Sequence, residues 1–460
     1  MPISSLREYV EKLDKEEELL RVRKEVDPKY ELGALCKAAH ARGRKALLFE
    51  RVRGTSMPVI TELFSTLKRV AMVLETDDTA LFKEVSERTR TLIDPTIVSD
   101  SPCKEVILKG REVDLTRLPW ITWNRTETAP YLSAGLVIVK DPEYGRNVAV
   151  YRMMYSSRNQ TFLRLTPSHH GYEFYKRAEL RGEKKLEIAV AIGTDPAIFL
   201  ASQFYPGVGV DEFGIAGALK KKPVELVRCE TVNIEVPASS EIVLEGYMSI
   251  PPDVGQEGPY GEFCGYSVGT VENERLWTIQ CMTMRKDPLY HGFYLCKGIN
   301  EEGIINSLIA SANTYRELKP AHPAIKRVYW TPAGVGILHC YIQIDERLKR
   351  PGMVNNILAS MGVSGGRGKH VFVFDDDIDI TDPEDVEWAI ATRVQADKDI
   401  FIIPNCLGQK LDPSATAEGI SAKLFVDATK SKDFRAQGLA LPPEDMLDRV
   451  NKNWDSYFKL

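Results

Sequence analysis

The stretch PPDVGQEGPYGEFCGY, residues 251–266, lies between two runs of strand character, 242–250 and 276–284. It sets Glu257 and Glu262 on either side of a Gly-Pro-Tyr-Gly turn. Pro259 holds its own φ at about −65°, and Gly258 and Gly261 tolerate conformations closed to other residues. The backbone can therefore fold sharply and present both acids to one pocket. Two carboxylates held close do not both stay ionised cheaply. One is expected to have a raised pKa and donate a proton near neutral pH, while the other, paired with a cation, stays charged. A solvated surface turn is the alternative reading.

The same Gly and Pro punctuation extends outward. Strand-like runs recur at 133–140, 147–155, 160–165, 186–192 and 223–229, with helices expected at 171–180 and 212–219. This rhythm predicts a mostly antiparallel β-domain over 102–300, barrel-like or a sandwich. Upstream, Leu6, Tyr9, Val10 and Leu13 follow Ser5 at helical spacing, which predicts a capped helix. Helices expected at 31–41 and 63–74 alternate with short apolar runs at 46–49 and 58–60, an α/β layer over 1–101. Downstream, a helix at 301–318 fills a linker over 301–320. Strands at 327–330, 336–344, 370–374 and 399–403 then alternate with helices at 351–361 and 383–394, a second α/β layer over 321–440. Residues 441–460 read as a polar docking helix carrying Trp454, Tyr457 and Phe458.

At 460 residues, two or three domains are expected. A net charge of −5 and a pI of about 6.0, without a long basic run, give no support to nucleic-acid or membrane-surface binding. Residues 1–22 lack the apolar run of a signal peptide, and no segment approaches the ~20 apolar residues of a membrane span, so a soluble cytoplasmic protein is expected. The eight cysteines form no CxxC pair and predict neither zinc site nor disulfide framework; Cys264, inside the glutamate turn, reads as a small buried residue. Asp375–Asp379 resembles the start of a calcium loop, but Ile380 and Val386 stand where Gly and Glu are required. GVSGGRGK, 362–369, has the wrong glycine spacing for a phosphate loop and is followed by His370; it reads as a mobile or turn segment.

Three segments place polar residues where strands prefer apolar ones: NVAVYR (147–152), LRLTPSHHG (163–171) and VDEFGIAG (210–217). Together they offer an Asn oxygen, a His nitrogen and a Glu oxygen, a set that suits Mn²⁺ or Mg²⁺ with a phosphate better than zinc. Asn147 and Arg152 are an odd number of residues apart, so in a regular strand they face opposite ways. They serve one site only if the strand bulges or ends between them, or if a ligand wraps its edge.

With EGPYGE, these segments resemble in order the UbiD family of decarboxylases, which use prenylated flavin mononucleotide. The resemblance runs from LREYVEKL (6–13) through EVPASSEIVLEGY (235–247) to VFDDDIDITDPEDVEWAIATR (373–393) and AKLFVDATK (422–430), nearly the whole chain. It implies a flavin-binding central domain and a C-terminal oligomerisation domain that builds a homodimer or homohexamer. Asn147, His169 and Glu212 match the family's metal ligands, which tie the cofactor phosphate to Mn²⁺ (or Mg²⁺) with K⁺ nearby; the segment around His169 differs in length, leaving His170 as the other choice. Val150, Tyr151, Arg152, Arg164, Leu165, His170, Gly171 and Lys423 match cofactor contacts, and Arg152, Glu257 and Glu262 match the catalytic network.

Loss of CO2 from an sp² carbon leaves an electron pair that no side chain delocalises, so a cofactor must accept it. The resemblance implies reversible decarboxylation of an aromatic, heteroaromatic or α,β-unsaturated acid, with the cofactor supplied by a flavin prenyltransferase. Arg152 binds the substrate carboxylate or holds Glu257, and Glu262 donates the proton. The stretch around His291 is expected to line the substrate pocket. An ordinary flavin oxidoreductase and a non-catalytic or partner-dependent subunit of a multi-component carboxylase stay open as alternatives.

Overall fold

The computed structural model describes residues 3–167, 169–362, 368–436 and 438–458. Ser5 caps the first helix, Leu6–Lys15, by accepting from the Glu8 amide at 3.2 Å, and Leu6, Tyr9, Val10 and Leu13 are its buried face. The expected helix at 63–74 starts later, at Leu67–Val73, because Thr66 accepts from the Arg69 amide and caps it there. Leu19–Val22, Ala46–Phe49 and Val59–Thr61 form a sheet whose fourth strand, Tyr290–His291, comes from much further along the chain. The N-terminal layer is thus tied to the central domain by backbone pairing.

Among the described residues the central sheet has ten strands, all paired antiparallel. The expected strand at 147–155 is two strands, Gly145–Val150 and Met153–Ser157. The first lies at one end of the path of paired strands and the second next to its other end. Only Tyr151 and Arg152 join them, and a chain of that length spans roughly 11 Å at most. The sheet must therefore curl until its two ends nearly meet. The barrel-like curl is an open sheet: among the described residues its two ends are not joined by hydrogen bonds, and Tyr151 and Arg152 stand at the seam. A short helix not expected from the sequence, Pro196–Ala201, is buried along its whole length.

Asn300 caps the linker helix Glu301–Leu318, which leads into a five-stranded sheet. Its three inner strands, His339–Ile344, His370–Asp375 and Ile420–Asp427, are parallel, and the edge strands Ile325–Trp330 and Ile400–Leu407 run antiparallel to their neighbours. Asp375 ends a strand, Asp377 pairs with Arg393 at 2.9 Å and Asp382 caps Pro383–Arg393, so the acidic run is absorbed by a strand end and a helix start. Of the glycine-rich turn at 362–369, residues 363–367 lie outside the described residues. The tail is shorter than one continuous helix: Glu444–Lys452 gives way to a single turn, Trp454–Tyr457, and Trp454, Tyr457 and Phe458 are exposed. No helix among the described residues is long and apolar enough to cross a membrane.

The sheet's curl includes a bulge where Ile242–Ser249 shifts register against Val271–Met284 between Glu245 and Gly246. A Cβ on Gly246 would lie 1.9 Å from the Thr278 carbonyl oxygen, whereas one on Gly269 meets nothing within 4 Å. Gly246→Ala is expected to lower the free energy of urea unfolding by about 1–3 kcal/mol, with Gly269→Ala close to the parent. Equal stabilities of the two variants would contradict this packing.

Candidate active site

Arg152 stands where one strand has ended and the next has not begun, which removes the parity objection: its side chain need not follow the alternation of Asn147. The guanidinium makes a two-pronged pair with Glu257, Nε to Oε1 at 3.0 Å and Nη2 to Oε2 at 2.7 Å, and its Nη1 donates to Glu262. Side-chain exposures of 8%, 1% and 14% for Arg152, Glu257 and Glu262 take all three largely out of water. The ring of Tyr260 lies beneath the guanidinium, 4.7 Å from centroid to Cζ. Burial pushes the Glu262 carboxyl above its ordinary range, Arg152 pulls it down, and Glu257 pushes it up again. Glu262 is thus an acid whose protonation responds to its surroundings.

The glutamate stretch is more ordered than a turn. Glu257 ends the strand Val254–Glu257, Gly258 takes a φ of 95°, and Tyr260–Gly261 pairs with Ser267–Val268, so Glu262 opens a hairpin. Gly261 is required for a different reason from the one expected: its φ is ordinary, but a Cβ there would lie 2.2 Å from Asn124 Nδ2. Cys264 is half-buried.

A second cluster lies behind the seam. Glu212, first residue of the helix Glu212–Lys220, accepts from Asn147 Nδ2 at 2.9 Å and from the Val148 amide at 2.8 Å. Burial pushes its carboxyl up to about 8. Asn147 Oδ1 is buried with no hydrogen-bond partner, a deficit worth roughly 1–3 kcal/mol. An unpaired amide oxygen beside a carboxylate is a donor set that a hard divalent cation completes. His169 is solvent-facing at the N-terminus of the helix His170–Leu180, its ring 5.6 Å from that of Tyr151, while His170 stacks on Tyr205 at 4.7 Å. Tyr151 Oη accepts from the Gly171 amide at 3.3 Å, and the Arg164 amide donates to the Arg152 carbonyl at 3.3 Å. The Arg164 side chain donates to buried Glu274 at 2.5 Å and lies within electrostatic reach of both Glu262 and His169. Among the described residues no group of three or more His, Cys, Asp and Glu side chains forms a metal site.

Val150 and Leu165 flank these residues, half-buried and buried. Lys423 stands in the C-terminal sheet, its ammonium donating to the Gly362 carbonyl at 3.2 Å. His291 is in the core, its ring 4.8 Å from that of Phe199, its Nε2 buried without a partner, and burial pushes its pKa down to about 3. A cavity of about 960 Å³ lies elsewhere, lined by Arg7, Arg21, Met57, Arg117, Lys286 and Leu289 among others. None of the expected site residues lines it, so the site is marked by convergence of side chains. Sequence reasoning missed Glu127, Glu274, Asn300 and Glu302 around the hairpin. Only Asn300 had a signal, an Asn before two Glu and an apolar run, the mark of a helix start.

Arg152→Met would leave buried Glu257 without its partner and let burial push Glu262 further up. A carboxyl with a raised folded pKa contributes stability at low pH that is lost as pH rises above its unfolded value. The variant should therefore cost about 3–5 kcal/mol at pH 8 and less at pH 5, read by chemical denaturation. A cost that is flat with pH would contradict the assignment.

Comparison with known proteins accounts for nearly the whole chain. Residues 10–89, 96–298 and 304–428 match the N-terminal, Rift-related and C-terminal domains of 3-octaprenyl-4-hydroxybenzoate carboxy-lyase. Anhydromevalonate phosphate decarboxylase of Methanothermobacter thermautotrophicus is 34% identical over 92% of this chain and 96% of its own. The UbiD-class enzyme HmfF of Pelotomaculum thermopropionicum in complex with FMN superposes with a TM-score of 0.90 at 35% identity, over 97% of this chain and 99% of that one. An evolved dimeric form of HmfF in complex with prenylated FMN gives 0.85 at 34% identity, over 95% and 97%.

Proposed function

The chain belongs to the UbiD family of carboxy-lyases, and from that premise we propose that it is a prenylated-FMN-dependent, reversible non-oxidative decarboxylase of an aromatic, heteroaromatic or α,β-unsaturated carboxylic acid. The observation that carries this reading is the single buried guanidinium of Arg152 shared by Glu257 and Glu262. Arg152 and Glu257 form a fixed ion pair that orients the substrate carboxylate, and Glu262, raised by burial, is the proton donor that replaces CO2. When bound, the prenylated flavin supplies the electron sink for the pair left on carbon as the C–C bond breaks.

Asn147, His169 and Glu212 are the proposed ligands of Mn²⁺ (or Mg²⁺), with K⁺ nearby. The N-terminus of His170–Leu180 suits the cofactor phosphate. Val150, Tyr151, Arg164, Leu165, His170 and Gly171 are the proposed cofactor contacts, with Lys423 of the C-terminal sheet a further candidate and His291 a candidate for the substrate side. The exposed edge strand Ile400–Leu407, with Ile402 62% and Leu407 61% exposed, and the uncovered aromatic tail suit assembly as a homodimer or homohexamer. HmfF's evolved dimeric form is in keeping with that.

Made in cells without a flavin prenyltransferase, the protein should carry FMN or no flavin and be inactive, because no encoded side chain can act as the electron sink. Mass spectrometry of the released cofactor with a screen of unsaturated and aromatic acids tests this, and turnover by flavin-free protein would end the proposal. In holo-protein, Glu262→Gln should retain the cofactor while kcat falls by roughly 10²–10⁴-fold. Glu212→Gln should instead purify with little cofactor and metal by absorbance and elemental analysis. Near-parental turnover of Glu262→Gln would move the proton donor elsewhere.

A further inference from the structure

The hairpin that carries Glu262 is fastened on both sides of that residue. Before it, the Gly261 amide donates to Glu127 at 3.2 Å; Glu127, 3% exposed, also accepts from the Trp123 amide at 2.7 Å, the Asn124 amide at 3.1 Å and Asn124 Nδ2 at 3.1 Å. After it, the Phe263 carbonyl accepts from Asn300 Nδ2 at 2.9 Å. Asn300 is 1% exposed and its amide is fully used: Nδ2 also donates to the Cys296 carbonyl at 2.8 Å and the Gly298 carbonyl at 3.4 Å, and Oδ1 accepts from the Gly303 amide at 3.0 Å. One side chain thus joins the hairpin, the 296–298 loop and the start of the linker helix. The contact is close elsewhere as well, since a Cβ on Gly265 would lie 2.6 Å from Lys297 Cα.

The far side of the same helix is fixed to the C-terminal domain. Ser311 accepts from the Trp330 amide at 2.9 Å, Thr314 accepts from Trp330 Nε1 at 3.0 Å, and a Cβ on Gly303 would lie 3.1 Å from the Pro332 carbonyl oxygen. Any shift of that domain that carries the helix with it therefore reaches Phe263 through a partly buried hydrogen bond, one residue from Glu262.

We propose that Asn300 is a positioning residue that transmits the placement of the linker helix, and with it the C-terminal domain, to the carboxyl of Glu262. This rests on the reading of Glu262 as proton donor. The ionisable groups facing Glu262 are Arg152, Glu257, Arg164, Tyr260, Cys264 and, from the first turn of the linker helix, Glu302, whose carboxyl accepts from Asn306 at 3.1 Å.

Asn300→Asp separates the two duties of the side chain. Aspartate still caps the helix but cannot donate, and it sets a carboxylate against three carbonyl oxygens. In the protein as expressed, hydrogen exchange of the Glu262 and Gly265 amides should quicken by about tenfold or more while the amides of 304–308 keep their protection. In holoenzyme, kcat should fall roughly 10- to 100-fold with KM within about twofold. In a Glu262→Gln background the same substitution should cost little more, because it acts through Glu262. Unchanged exchange at the hairpin would overturn the proposal, as would an undiminished kcat penalty in the Glu262→Gln background. If Glu262→Gln alone leaves turnover intact, the donor assignment fails, and hairpin exchange still tests the mechanical link. Should Asn300→Asp not fold, Asn300→Ser, which keeps a capping oxygen and cannot reach three carbonyls, reads the same quantities.

Discussion

A guanidinium shared by two carboxylates at the seam of a curled sheet is the contact on which the arrangement depends. Glu257 is essentially removed from water, and a carboxylate in that position needs a cation with matching geometry. Arg152 provides it by the two-pronged pairing that lysine cannot reproduce. Its own place follows from topology: the strands on either side of Tyr151 and Arg152 lie near opposite ends of the sheet's path, so the sheet must curl for the pair to form.

The surrounding layers hold this contact in place. Tyr290–His291 completes the N-terminal sheet, and Glu301, fully buried, accepts from the backbone amides of Glu62 at 3.2 Å and Phe64 at 2.9 Å, which docks the start of the linker helix on that layer. The adjacent residue, Asn300, reaches the glutamate hairpin. Three domains therefore meet within a few residues of Glu262, at a point where backbone hydrogen bonds leave little slack.

The electrostatics divide the site in two. On the hairpin side, burial raises Glu262 against the permanent positive charge of Arg152. Behind the seam, burial raises Glu212 beside an Asn147 amide oxygen that has no hydrogen-bond partner. The first side is paired within the chain; the second keeps a buried carboxyl beside an unpaired amide oxygen, a donor set of the kind that hard divalent cations accept.

Local pattern settled much of the fold. Ser5 with its four apolar followers, the linker helix at 301–318 and the alternation of the last domain were legible because caps and hydrophobic periodicity are short-range signals. The candidate residues Arg152, Glu257 and Glu262 were named from motif and resemblance, and the structure brings them together; Lys423 stands apart in another sheet and His291 in an aromatic core. What the sequence could not reveal was long-range. The curl that parts Tyr151 and Arg152 from strand geometry, the close approach that demands Gly261, and the burial of Glu127 and Asn300 all arise from segments far apart in the chain. Residue types and their spacing are determined by the sequence alone, but register, burial and the distance between charges exist only once distant strands have paired, and it is these that raise Glu262 and Glu212 and set Glu257 against Arg152.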